Sequence, residues 1–128
     1  MNVAFFGGSF DPPHVGHVLA AAYALCTAEI DQVLVVPVCA HAFAKPLSSF
    51  EDRLAMTRFA FKSLAQVAIS DLESELPHPN FTLNTLQEVA KRNPSWQLRL
   101  LVGSDVFAQR GKWHQFERIV EIAPPLVL

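Results

Sequence analysis

At 128 residues, 51% of them hydrophobic, the chain has the size of one compact domain and lies outside the disordered and fibrous classes. Ten Lys and Arg against twelve Asp and Glu leave a net charge of −2, which excludes the broad basic footprint of a duplex-coating protein, so no nucleic-acid partner is expected. Cys26 and Cys39 form no CxxC pair, no run reaches transmembrane length and no signal-peptide pattern opens the chain, which together point to a cytoplasmic protein with no membrane contact.

Short apolar runs at Val3 to Phe6, Val33 to Val38, Val67 to Ser70, Leu98 to Val102 and Pro125 to Leu128 read as strands. They are continuous rather than alternating, as strands covered on both faces are. The first intervening helix starts near His17 and is Ala-rich through Ala20, Ala21 and Ala22, so it packs closely on a sheet. The second opens at Ser48 and Glu51 in capping-box spacing. It turns Phe50, Leu54, Phe61 and Leu64 inward, leaving Arg53, Arg58 and Lys62 for the outer side. A polar, Pro-broken stretch from Glu73 to Asn80 reads as a mobile surface loop. The third helix spans Thr82 to Arg92 with Leu83, Leu86 and Ala90 inward and stops where Asn93 precedes Pro94. A fourth covers Trp113 to Ile122 and ends at Pro124 and Pro125. This alternation predicts an α/β domain, a Rossmann-like open parallel sheet of about five strands with helices on both faces. Ligands in such a sheet sit beyond the carboxyl ends of the strands.

The loop after the first strand reads Gly7-Gly8-Ser9-Phe10-Asp11-Pro12-Pro13-His14-Val15-Gly16-His17. A glycine turn leading into a helix gathers unpaired N–H groups and a positive dipole end, which suits phosphate. Neither GxxxxGK[ST] nor GxGxxG is present, so a P-loop and a dinucleotide fingerprint are both excluded. In His14-x-x-His17, two imidazoles at a helix start can donate to a phosphoryl group whose charge grows in the transition state. The alternatives are two surface histidines capping a helix, or a zinc site made with Asp11.

GGSFDPPHVGH resembles the first-strand signature of the HxGH nucleotidyltransferase superfamily, and in particular of the nicotinate or nicotinamide mononucleotide adenylyltransferases. The likeness continues in Lys45 and Arg53 within HAFAKPLSSFEDRLAM, in NFTLNTL at Asn80 to Leu86, and in Gly103-Ser104-Asp105 followed by Trp113. It implies transfer of AMP from ATP to a pyridine mononucleotide in NAD biosynthesis, with pyrophosphate leaving, Mg²⁺ screening the phosphates and small-molecule nucleotides as partners. An acceptor phosphate is already an anionic nucleophile, so the enzyme mainly supplies alignment and charge stabilisation.

By that resemblance the catalytic residues are His14, His17 and Lys45, and the nucleotide cradle is formed by Gly7, Gly8, Ser9, Phe10, Gly16, Gly103 and Asp105. Arg53, Thr82, Thr85 and Trp113 would bind the acceptor. No resident metal ligand is expected. Each later residue has a plainer reading: Lys45 as a solvated lysine, Arg53 as an exposed charge, Asp105 as a helix N-cap. Trp113 would then simply bury its indole, and Thr82 and Thr85 would cap the third helix. His41 and His114 carry no mechanism of their own. Relatives usually run on to an ISTxxIR-like segment that helps hold the ATP phosphates, and none occurs here. The expectation is a single domain over 1–128, C-terminally truncated relative to the family. Its uncovered apolar sheet surface would be an incentive to form a homo-oligomer. Two other functions remain: a nucleotide-binding domain without catalysis, and a transferase acting on phosphopantetheine or a cytidylyl-transfer substrate.

Overall fold

The computed structural model describes residues 1–40 and 46–128, so His41 and the expected catalytic Lys45 lie outside the described residues. In chain order the elements are β1 (Asn2–Gly8), α1 (Val15–Thr27), β2 (Gln32–Pro37), α2 (Phe50–Phe61) and β3 (Val67–Ile69). There follow a 3-10 turn (Leu72–Glu75), α3 (Thr82–Arg92), β4 (Gln97–Val102) and a single-turn α4 (Ser104–Phe107). A second 3-10 turn (Arg110–Lys112), α5 (Phe116–Ile122) and β5 (Pro125–Val127) complete the order.

All four strand pairings are parallel and the order is β3-β2-β1-β4-β5. The chain winds outward from β1 in both directions, so the order reverses between β1 and β4 and a crevice opens at their carboxyl ends. Pleating sends alternate residues of β1 to opposite faces. Val3 and Phe5 join Leu83, Leu86 and Val89 of α3 and Ile119 of α5, while Ala4 and Phe6 join Ala21 and Ala24 of α1 and Phe61 of α2. The expected doubly covered sheet is therefore present. The two fully buried alanines explain the Ala-rich first helix, because a bulkier side chain there would push α1 off the sheet.

Three local expectations are corrected. Helix α2 is capped by Ser49, whose hydroxyl accepts from Asp52 N, rather than by Ser48. Ser48 is engaged elsewhere, its amide donating to Asp11 Oδ2 and its carbonyl accepting from Arg53 Nε. The last helix starts at Phe116, not Trp113, because Gln115 sits in the left-handed region at φ 51° and breaks the run. Glu73 to Asn80 is no free surface loop: Asn80 donates through N to Ala40 O and through Nδ2 to Glu73 O, and its Oδ1 accepts from Ala40 N.

Candidate active site

A cleft of about 1040 Å³ lies over the carboxyl ends of β1 and β4. It is bordered by the β1–α1 turn, the start of α3 and the segment from Gly103 to His114. This is the crevice the strand order anticipates, and its size is at the upper end for a small-molecule site.

On its β1–α1 side, His14 is the N-cap of α1 and a reciprocal pair of bonds closes the first turn. Gly16 N donates to His14 Nδ1 at 3.1 Å, and His14 N donates to His17 Nδ1 at 3.1 Å. Both Nδ1 atoms are thus acceptors, which puts the proton of each neutral ring on Nε2. The rings stack with centroids 3.9 Å apart and planes 26° from parallel, and both line the cleft. Burial, and after it the neighbouring His14, lowers the His17 pKa, so His17 is neutral at pH 7. Capping and donation are therefore not competing roles: Nδ1 caps the helix and Nε2–H is left for a ligand. With both Nδ1 atoms spent on the backbone, a zinc set with Asp11 has no support, and no three His, Cys, Asp or Glu groups converge among the described residues.

Gly16 is required by this cap. A Cβ there would stand 2.8 Å from His14 Cε1, closer than real side chains approach. Phe10, expected in the cradle, is instead a support beneath it. Only 2% exposed, its ring packs 4.8 Å from His17, 5.5 Å from Phe6 and 6.4 Å from Phe61. Its φ of 48° is the left-handed conformation that a bulky residue adopts at a cost of about 1 kcal/mol or more, offset here by full burial of the ring. Gly7, Gly8 and Ser9 line the cleft as expected.

Arg53 departs furthest from expectation. It is 1% exposed and does not face the cleft as an acceptor ligand. Its Nε donates to Ser48 O at 2.9 Å, and its Nη1 to Ser9 O at 2.9 Å and Val38 O at 2.6 Å. It fastens the loops after β1 and β2 to α2. Thr85 is likewise withdrawn: fully buried, its hydroxyl lies 2.8 Å from Glu73 Oε2, and it also lies 3.3 Å from Phe81 O. The sequence pattern hid both because a buried arginine and a buried threonine look like surface polar residues until the chain is folded.

Thr82 does line the cleft, at the start of α3, which has no side-chain N-cap. Gly103 and Asp105 line the other side, and Asp105 is not an N-cap: Gly103 takes that place in α4, while Asp105 Oδ1 accepts from Val106 N at 2.9 Å. Trp113 is half-buried, its ring edge-on to Phe116 with centroids 5.9 Å apart, and still borders the cleft. Sequence reasoning missed three contributors. His114 lies tilted against Phe81, centroids 4.7 Å apart and planes 35° from parallel, and both border the cleft. Glu73, 5% exposed, reaches the cleft wall with Oε1 lacking any hydrogen bond among the described residues. Burial pushes its pKa up to about 7, against the pull of Thr85, the Cys39 amide and Arg53.

Residues 5–125 match the family model described as cytidylyltransferase-like. The chain belongs to the cytidylyltransferase-like family. Among curated members, a protein of Anaeromyxobacter dehalogenans named "Probable nicotinate-nucleotide adenylyltransferase" is 40% identical over 130 residues, covering 99% of this chain and 70% of that protein. A Myxococcus xanthus protein of the same name is 35% identical, covering all of this chain and 68% of its own length. The solved nicotinic acid mononucleotide adenylyltransferase of Plasmodium falciparum, complexed with NaAD, superposes with a TM-score of 0.84 at 22% identity. It covers 98% of this chain and 63% of its own, and shares the fold of this cytidylyltransferase-like domain. No helix among the described residues is long and apolar enough to cross a membrane.

Proposed function

We propose that the chain transfers AMP from ATP to nicotinate mononucleotide, forming the dinucleotide and pyrophosphate. The observation that carries this reading is the stacked His14 and His17 pair at the cleft wall, with each Nδ1 tied to backbone and each Nε2 left for a ligand. The names of the curated relatives supply the acceptor.

An acceptor phosphate oxygen attacks the α-phosphorus of ATP, and the bond from that phosphorus to the bridging oxygen breaks as pyrophosphate departs. Charge builds on the non-bridging and leaving oxygens, where two fixed N–H donors stabilise the transition state more than the ground state. No general base is needed, because the nucleophile is already an anion. Gly7, Gly8 and Ser9 let the nucleotide approach the backbone; Thr82 and the uncapped start of α3 face the acceptor side. Lys45 would neutralise the triphosphate. Asp105 would accept from a ribose hydroxyl, and Trp113 and the Phe81–His114 pair would offer aromatic faces to the rings. Among the described residues the cleft carries no cluster of carboxylates, which fits a Mg²⁺ that would arrive on the triphosphate and supply charge neutralisation there.

The test is pyrophosphate release with Mg-ATP and, in turn, nicotinate mononucleotide, nicotinamide mononucleotide and phosphopantetheine, with products weighed by mass spectrometry. Release with nicotinate mononucleotide is expected. ATP binding with no release on any acceptor would make the domain a nucleotide binder, and release only with phosphopantetheine would move it to another acceptor class.

A further inference from the structure

A short run of backbone joins the nucleotide side of the cleft to its acceptor side, and one side chain closes the joint. Val38 N, just after β2, donates to Gly8 O at 2.9 Å, which fixes this run to the glycine turn. Arg53 Nη1 holds the Val38 carbonyl at 2.6 Å and the Ser9 carbonyl at 2.9 Å, so that end has a second anchor. Two residues on, Ala40 meets Asn80: Asn80 N donates to Ala40 O at 2.8 Å, and Ala40 N donates to Asn80 Oδ1 at 2.7 Å. Asn80 directly precedes Phe81 and Thr82, and all three line the cleft together with Gly8 and Val38. The glycine turn, residues 38–40 and the start of α3 are thereby bonded in series.

The surroundings of the joint suit asparagine. Its side chain faces one N–H donor, that of Ala40, and two carbonyl acceptors, Glu73 O at 3.1 Å and Pro77 O at 3.4 Å. An amide offers an acceptor oxygen and two donor hydrogens, so it satisfies all three at once, which neither a carboxylate nor a hydroxyl does. At 5% exposure, little water is at hand to replace a lost partner.

We infer that Asn80 is a positioning residue for the reaction: it sets the separation between the glycine turn and the start of α3, and with it the approach of the acceptor phosphate to the α-phosphorus. The assignment of those two sides to nucleotide and acceptor rests on the function proposed above. Each side keeps its own ligand groups without Asn80, because the histidine turn is closed by its own bonds and Thr82 belongs to α3. What the joint adds is register between them, and a misplacement of about 1 Å between bound reactants costs a large factor in rate. Such a residue acts on kcat rather than on either affinity.

Asn80→Ala and Asn80→Asp are compared with the unaltered chain in steady-state kinetics well below the unfolding temperature, in urea unfolding and in amide hydrogen exchange. Asn80→Ala removes the acceptor of Ala40 N, and kcat falls about tenfold or more while the ATP and acceptor KM values stay within about threefold. Asn80→Asp keeps an oxygen for Ala40 N but turns a second one on the carbonyls of Glu73 and Pro77. It therefore lowers stability at least as much as Asn80→Ala, yet recovers most of kcat. A merely structural asparagine would not let turnover and stability part in this way. An unchanged kcat in a folded Asn80→Ala, a loss carried by either KM, or turnover that follows stability across both variants overturns the inference. In exchange, the amides of Val38 and Asn80, whose own partners Asn80→Ala leaves in place, quicken while those of β1 and β4 do not. Should the unaltered chain release no pyrophosphate, the functional reading fails instead, and exchange, which needs no turnover, decides the joint. Quickening confined to residues 38–40 and 80 then supports it, and unchanged or uniformly raised exchange refutes it.

Discussion

The two walls of the cleft are built in opposite ways. The histidine wall is assembled by bonds spanning two or three residues, near the surface, between side chains and the backbone of one helical turn. The opposite wall is assembled by buried and part-buried polar bonds spanning long stretches of chain: Arg53 to Val38, Ala40 to Asn80, Thr85 to Glu73. The first can form as soon as α1 does. The second exists only when β2, α2, the turn after β3 and α3 are all in place. Local geometry thus suffices to set two ring donors at the cleft, whereas shaping the wall across from them draws on the whole fold.

Substitutions should separate the walls accordingly. Arg53→Met keeps the bulk but takes from the part-buried carbonyls of Ser9, Val38 and Ser48 their shared charged donor, and should cost about 4 kcal/mol of stability in urea unfolding. A loss under about 1 kcal/mol would show that these carbonyls find other partners. His17→Ala should do the reverse, lowering kcat by about 100-fold or more with unfolding shifted by only about 1 kcal/mol. Unchanged turnover would remove the histidines from the chemistry. Glu73 should mark the buried wall through pH. Its folded pKa, raised to about 7 from the ordinary 4.5, means the folded state holds a proton that the unfolded state has released over that interval. The stability it permits is full below about pH 4.5 and is lost as pH rises through about 7, by about 3 kcal/mol in total. Glu73→Gln should flatten that part of the pH–stability curve; an unaltered slope would assign it to another group. The smallest effect belongs to Gly16→Ala, about 1 kcal/mol in unfolding, with turnover falling about tenfold because the His14 ring must move aside. Unimpaired turnover in a folded Gly16→Ala would uncouple the cap from the chemistry.

The same contrast explains what could be read from residues alone. Strands, their order class and the third helix follow from apolar periodicity, and α3 runs from Thr82 to Arg92 as expected. The histidine turn is legible because all its parts are neighbours in sequence. Arg53, Thr85 and Glu73 are not, since burial inverts the ordinary meaning of a polar residue in a helix or loop and only long-range packing reveals it. The stretch from Glu73 to Asn80 looked free because its composition is that of a loop. Its partners, Ala40 and Thr85, lie beyond any local pattern. Ser48 and Ser49 show the limit at finer scale: both can cap a helix, Ser49 does so, and the amide of Ser48 is bound by Asp11, far away in the chain.

In α1 the rings that close the first turn are the rings whose Nε2–H would meet the phosphates, so fraying of that turn and loss of the donors are a single event. The first turn lies near the surface and can open at far lower free energy than the sheet. Heat should therefore silence the enzyme reversibly over a range in which the sheet is still intact, and a saturating nucleotide, by bracing the two rings, should raise the temperature of inactivation more than that of unfolding.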